Sequence, residues 1–195
     1  MTSLAASFAM ACVVIAVPVV ARSQTAPTDP LPRYERAGAG FACRMRPEDF
    51  RKIENNAAAD APCLRIGPIA LYMARSDIEA MLGGPNTSVM SNGHTYYFYG
   101  LQTGSAQAVT TYVLIEYADS GRPTSVQLTG DPWRGAWRFS GITLGDPEHS
   151  VISRLGQAKQ EQPSEDAGAK LWTYSPWQFS FEVKNGVVTS IRVGQ

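Results

Sequence analysis

The sequence predicts an α+β fold of two tandem modules, each a short helical segment packed on one face of a small antiparallel meander sheet. Three observations predict it. A segment beginning at Ile69 recurs 73 residues later at Ile142, both copies carry a helix stop at the same place, and apolar–polar alternation follows each helix.

Composition sets the outer limits. The 195 residues are 44% hydrophobic and 17% charged, which is enough apolar matter for a buried core and room for one domain or two small ones. The 17 basic and 17 acidic side chains cancel, so no broad field exists to hold nucleic acid or an anionic membrane. Nucleic acid is not an expected partner, and any membrane contact is expected to be indirect.

Taken in order, residues 1–23 read as a signal peptide. Leu4 to Val20 is almost wholly apolar, and Ala21-Arg22-Ser23 places small residues at the two positions a signal peptidase inspects, giving cleavage near Ser23/Gln24. The expected localisation is periplasmic or secreted. A retained membrane anchor is the alternative, since the run has the length of a short spanning helix. A lipid anchor on Cys12 is disfavoured because the preceding Ala9-Met10-Ala11 lacks an aliphatic residue three places upstream.

Residues 24–65 form an N-terminal arm. Cleavage leaves Cys43 and Cys63, an even count in an oxidising compartment, so a single disulfide between them is expected. Closing a loop of about 20 residues contributes roughly 3 kcal/mol in the chain-entropy picture. Inside that loop the run Pro47 to Ala58 reads as helical and is a candidate lid. Neither histidine nor further cysteine stands near enough to suggest a metal site.

Module 1 spans 66–130, a connector 131–138, and module 2 139–195. Ile69, Leu71, Ile78, Leu82 and Gly83 recur as Ile142, Leu144, Val151, Leu155 and Gly156. Ser76 with Glu79 reads as a capping box for the first helix. Asp146 before Pro147 reads as an N-cap followed by proline at the first helical position of the second. Gly83 and Gly156 stop the helices, because glycine takes positive φ at little cost. Downstream, Tyr97 and Tyr99 match Trp172 and Tyr174, Ile115 to Tyr117 match Phe181 to Val183, and Gly121-x-x-Thr124-Ser125-Val126 matches Gly186-x-x-Thr189-Ser190-Ile191. Asn185-Gly186 is a two-residue hairpin signal, and Asp119 to Pro123 makes the same connection less tightly.

A period of two then sorts the faces. Val113, Ile115, Tyr117, Val126 and Leu128, with Phe179, Phe181, Val183, Ile191 and Val193, are expected in the core, and their neighbours point outward. The outward set of the first copy includes Tyr96, Phe98, Tyr112 and Leu114, an aromatic and aliphatic patch of the kind that marks binding surfaces. Its alternative is a surface covered by the arm or by the other repeat. In the connector, Trp133 and Trp137 either pack the modules together or add hot-spot residues at the seam.

Catalytic chemistry is not legible. His94 and His149 stand in unrelated surroundings without a nucleophile nearby. Glu116 and Glu182 are one repeated position rather than a carboxylate pair, and Gly83-Gly84 ends a helix instead of opening one. No enzyme activity, cofactor or metal is expected.

The entry strand, the helix ending in Leu-Gly, and the later strands, best seen in Ile142-Thr-Leu-Gly145, Leu155-Gly156, Trp172-x-Tyr174 and Val188-Thr-Ser-Ile191, resemble the BamE (SmpA/OmlA) family of outer-membrane assembly proteins. The doubled arrangement is similar to the β-lactamase inhibitory protein architecture. The resemblance runs from about Ile66 to the end, and it implies a sheet face that grips another protein. The expected function is therefore an exported, non-enzymatic protein-binding module, inhibitor-like or adaptor-like, whose partner is another envelope or extracellular protein. The alternative is an outer-membrane-associated structural accessory of an envelope assembly complex.

Overall fold

The computed structural model describes residues 32–50, 61–101, 110–133 and 135–194. The leader, the start of the arm and the candidate lid beyond Phe50 lie outside the described residues.

The chain begins with a hairpin of β1 (Arg33–Ala37) and β2 (Gly40–Arg44), a single turn α1 (Pro47–Phe50), and a 3-10 turn at Ala61–Cys63. Two short strands, β3 (Arg65–Ile66) and β4 (Ile69–Ala70), lead to α2 (Arg75–Leu82) and then β5 (Thr87–Ser91), β6 (His94–Gly100), β7 (Thr111–Tyr117) and β8 (Pro123–Gly130). The second copy supplies α3 (Glu148–Leu155), β9 (Gln160–Pro163), β10 (Ala169–Thr173), β11 (Phe179–Lys184) and β12 (Val187–Gly194).

The main sheet overturns the expectation of two helix-on-sheet modules. It is one antiparallel sheet of eight strands in the order β5-β6-β7-β8-β12-β11-β10-β9, and the helices are minor elements laid on it. The two copies fuse through β8 and β12, paired as Val126↔Val193, Gln127↔Arg192 and Leu128↔Ile191. The physical reason is edge satisfaction. Each meander ends in a strand with a row of unpaired backbone groups, and pairing the two ends satisfies both rows. Thr124 to Leu128 recurs 65 residues later as Thr189 to Val193. Gln127 and Arg192 are thus the same repeat position facing itself across a local two-fold axis. One hydrophobic core, drawn from both halves, lies along one side of the sheet.

Four strands rather than three make up each half. β5 joins β6 through Asn92-Gly93, with φ of 53° and 80°, and β11 joins β12 through Asn185-Gly186, with φ of 53° and 76°. A two-residue hairpin turn with positive φ at both positions matches strand twist, which is why Asn-Gly stands at both.

The helix starts differ from expectation. Ser76 lies inside α2, whose N-cap Ala74 makes no side-chain cap, and Glu79 instead accepts from Arg75 Nε at 2.7 Å. α3 has Pro147 as N-cap, and Asp146 accepts from the Thr143 N–H at 3.0 Å. The caps come from the sheet: the Arg75 N–H donates to the Gly121 carbonyl and the Glu148 N–H to the Gly186 carbonyl, each at 2.9 Å. A turn carbonyl thereby satisfies an amide that the first helical turn leaves open. Gly83 and Gly156 close the helices at φ of 79° and 81°, as expected.

The arm covers the core side of the second half. Tyr34 and Phe41 pack among Phe139, Tyr174, Trp177 and Phe179. A Cys43–Cys63 disulfide ties β2 to the 3-10 turn.

Candidate functional site

The face of the sheet opposite the core is built from alternate residues of all eight strands. The period-two assignment holds: Val113, Ile115, Val126, Leu128, Phe181, Ile191 and Val193 are buried in the core, and Tyr117 packs against it half-buried. Their neighbours Tyr112, Leu114, Glu116, Gln127, Glu182 and Arg192 point the other way.

Cross-strand register lays this open face out in rows. Val89, Tyr96, Glu116 and Ser125 stand abreast, and beside them Phe98, Leu114, Gln127, Arg192, Ser180 and Thr173. The first half is thus apolar and the second polar. Phe98 and Tyr112 meet with ring centroids 5.6 Å apart and planes at 43°. Tyr96, Phe98, Tyr112 and Leu114 are half-buried, yet none packs on the core.

Polar groups on this face form local pairs. His94 Nδ1 contacts Glu116 Oε1, and Ser125 Oγ donates to Glu116 Oε2 at 3.4 Å. Across the two-fold seam Gln127 Nε2 donates to Ser190 Oγ at 2.8 Å, and within the second half Ser164 Oγ donates to Glu182. Ser125 and Ser190 are buried beneath these longer neighbours. The polar half sinks into a depression of about 370 Å³ bordered by Gln162, Leu171, Glu182 and Arg192.

Glu116 and Glu182 lie three strand steps apart and four residues out of line, which at the usual sheet spacings is roughly 20 Å. That is more than twice the widest separation at which two carboxylates flank a glycosidic bond. Among the described residues no group of three or more His, Cys, Asp or Glu is placed to hold a metal ion.

The six residues singled out from the sequence fall into two groups. Tyr96, Phe98, Tyr112 and Leu114 come together on the open face. Trp133 and Trp137 do not join them. Both pack against the core, with Thr143 Oγ1 donating to their carbonyls at 3.3 and 2.9 Å. The Trp137 ring also lies against Gly67, where an added Cβ would come within 3.0 Å of it. Sequence reasoning missed Val89 on β5 and the β9–β10 rim of the polar depression. Asn92-Gly93 was the available signal for β5. Gln160–Pro163 carries no apolar alternation to announce β9.

No family profile matches the chain, and no curated protein matches it. Among solved structures it is similar to a DUF4309 family protein, YjgB, from Bacillus subtilis, with a TM-score of 0.44 and 11% sequence identity, covering 62% of this chain and 77% of that one.

Proposed function

We propose that the protein is an exported protein-binding module, inhibitor-like or adaptor-like and not an enzyme, which engages another envelope or extracellular protein through the open face of its sheet. The observation that carries this reading is the patch of Tyr96, Phe98, Tyr112 and Leu114, four large side chains that share a face and contribute nothing to the core. Aromatic residues of this kind supply large contact area at small rotamer entropy, and they dominate interface energetics. Support for export comes from the apolar leader and the Cys43–Cys63 disulfide, since such bonds persist in oxidising compartments. The motif resemblance to the BamE family supports an envelope partner.

The test is affinity capture from extracts of the native host, with Tyr96→Ala/Tyr112→Ala as the matched control. One envelope protein should be retained by the native chain and lost from the double variant, a weakening of about 2 kcal/mol or more, while cooperative unfolding is unchanged. Equal retention by both chains would remove the patch from the interface.

A further inference from the structure

A second concave site lies on the opposite side of the sheet, between the β1–β2 hairpin and the C-terminal end of α3. It encloses about 350 Å³, within the size range of small-molecule sites. Its floor is apolar: Phe41, Ile152, Leu155 and the ring of Tyr174. The Tyr174 hydroxyl is committed to the Gly156 carbonyl at 2.9 Å, and Tyr174 and Leu155 are almost wholly buried, so Phe41 and Ile152 present most of the apolar surface.

Two cations, Arg36 and Lys159, stand at the rim, both exposed, and no carboxylate lines the groove. Among the described residues neither cation takes part in an ion pair or a side-chain hydrogen bond. The helix C-terminus accounts for one of them. Arg36 lies over Gly156, where an added Cβ would stand 3.3 Å from the guanidinium, and cations are favoured beside terminal carbonyls. Lys159 lies past that last turn and gains little from it. One uncompensated cation, Lys159, beside an arginine held only by the helix terminus, above partly apolar walls, is the complement of a molecule with an anionic head and an apolar body. The larger cavity, about 460 Å³, lacks this character: Asp77 shares it with Arg65 and Arg122, and Arg65 Nε already donates to the Gly67 carbonyl at 2.8 Å.

We propose that this groove binds a small amphiphilic carboxylate, an acyl or aryl acid, with the head group between Arg36 and Lys159 and the body against Phe41 and Ile152. The planar guanidinium fork suits two parallel hydrogen bonds to a carboxylate, and the lysine adds a point charge. The site lies on the other side of the sheet from the open face.

The experiment is calorimetric titration of the purified chain with decanoate below its micelle concentration. Decanol, decyltrimethylammonium and phosphatidylglycerol vesicles serve as comparison probes. Decanoate should bind saturably with Kd below about 1 mM, and Arg36→Gln/Lys159→Gln should weaken it about tenfold or more while the variant still unfolds cooperatively. Decanol and the ammonium amphiphile should bind no better than the double variant binds decanoate. Absent saturation, equal binding by the double variant or by decanol, or binding to the vesicles alone would each overturn the assignment.

Discussion

Arg75 joins a helix to a sheet through its backbone N–H and its guanidinium, and it also pairs within the helix with Glu79. Its backbone N–H donates to Gly121, its Nε to Glu79, and its guanidinium lies 4.3 Å from the Tyr97 ring centroid and 5.0 Å from that of Tyr117. Such stacking joins charge attraction to packing. The same position in the second copy is Glu148, which cannot stack on a ring, and Trp172 and Val183 stand there in the places of Tyr97 and Tyr117. Beneath Arg75 the Tyr99 and Tyr117 hydroxyls meet at 3.1 Å. Burial, first among the causes, raises the phenol pKa of both, and it pushes Tyr174 up to about 12. A phenol whose pKa is higher folded than unfolded favours the folded state fully below the unfolded value of 10.0, and that contribution fades as pH rises through about 12. In an alkaline titration followed by phenolate absorbance, the phenolates of Tyr99, Tyr117 and Tyr174 should therefore appear only as far-UV ellipticity is lost. Titration of these three near pH 10 with the fold intact would contradict this burial.

At the scale of elements, what could be read from sequence depended on what each element packs against. Strands β7, β8, β11 and β12 were legible because each is buried on one face, which forces the alternation of Val113, Ile115, Val126 and Leu128 and of their repeat partners. β5 and β9 are the sheet edges, every residue of each is exposed, and their side chains carry no such pattern. Helix starts were misread for another reason. The residue that caps α2 is Gly121, a turn glycine whose carbonyl does the work, so no side chain near Ser76 reports it. The disulfide followed from counting cysteines, and its contribution can be argued at this scale too. It ties the hairpin that covers Tyr174 and Phe179 to the start of the sheet domain. Cys43→Ser/Cys63→Ser should lower stability by about 3 kcal/mol, from freeing a loop of some twenty residues in the unfolded chain. Urea unfolding measures it. A change under about 0.5 kcal/mol would mean that the hairpin is held by its aromatic packing alone.

For the whole molecule the repeat was visible and its meaning was not. Val126 and Leu128 alternate with polar neighbours whether β8 ends a sheet or continues into another, so side-chain pattern alone does not distinguish two modules from one sheet. The distinguishing contact is backbone pairing between β8 and β12, which joins two halves over a common core. One consequence is that the halves should not unfold separately. Gln127 sits in the middle of β8, between Leu114 on β7 and Arg192 on β12. Proline there removes a ladder amide on one side or the other and destabilises by about 3 kcal/mol or more. If the seam makes the halves one cooperative unit, Gln127→Pro should reduce hydrogen-exchange protection in β10 and β11 as far as in β6 and β7, although the change lies in the first copy. Protection retained in β10 and β11 would show that the second half stands without the first, and that the core drawn from both is two cores in contact.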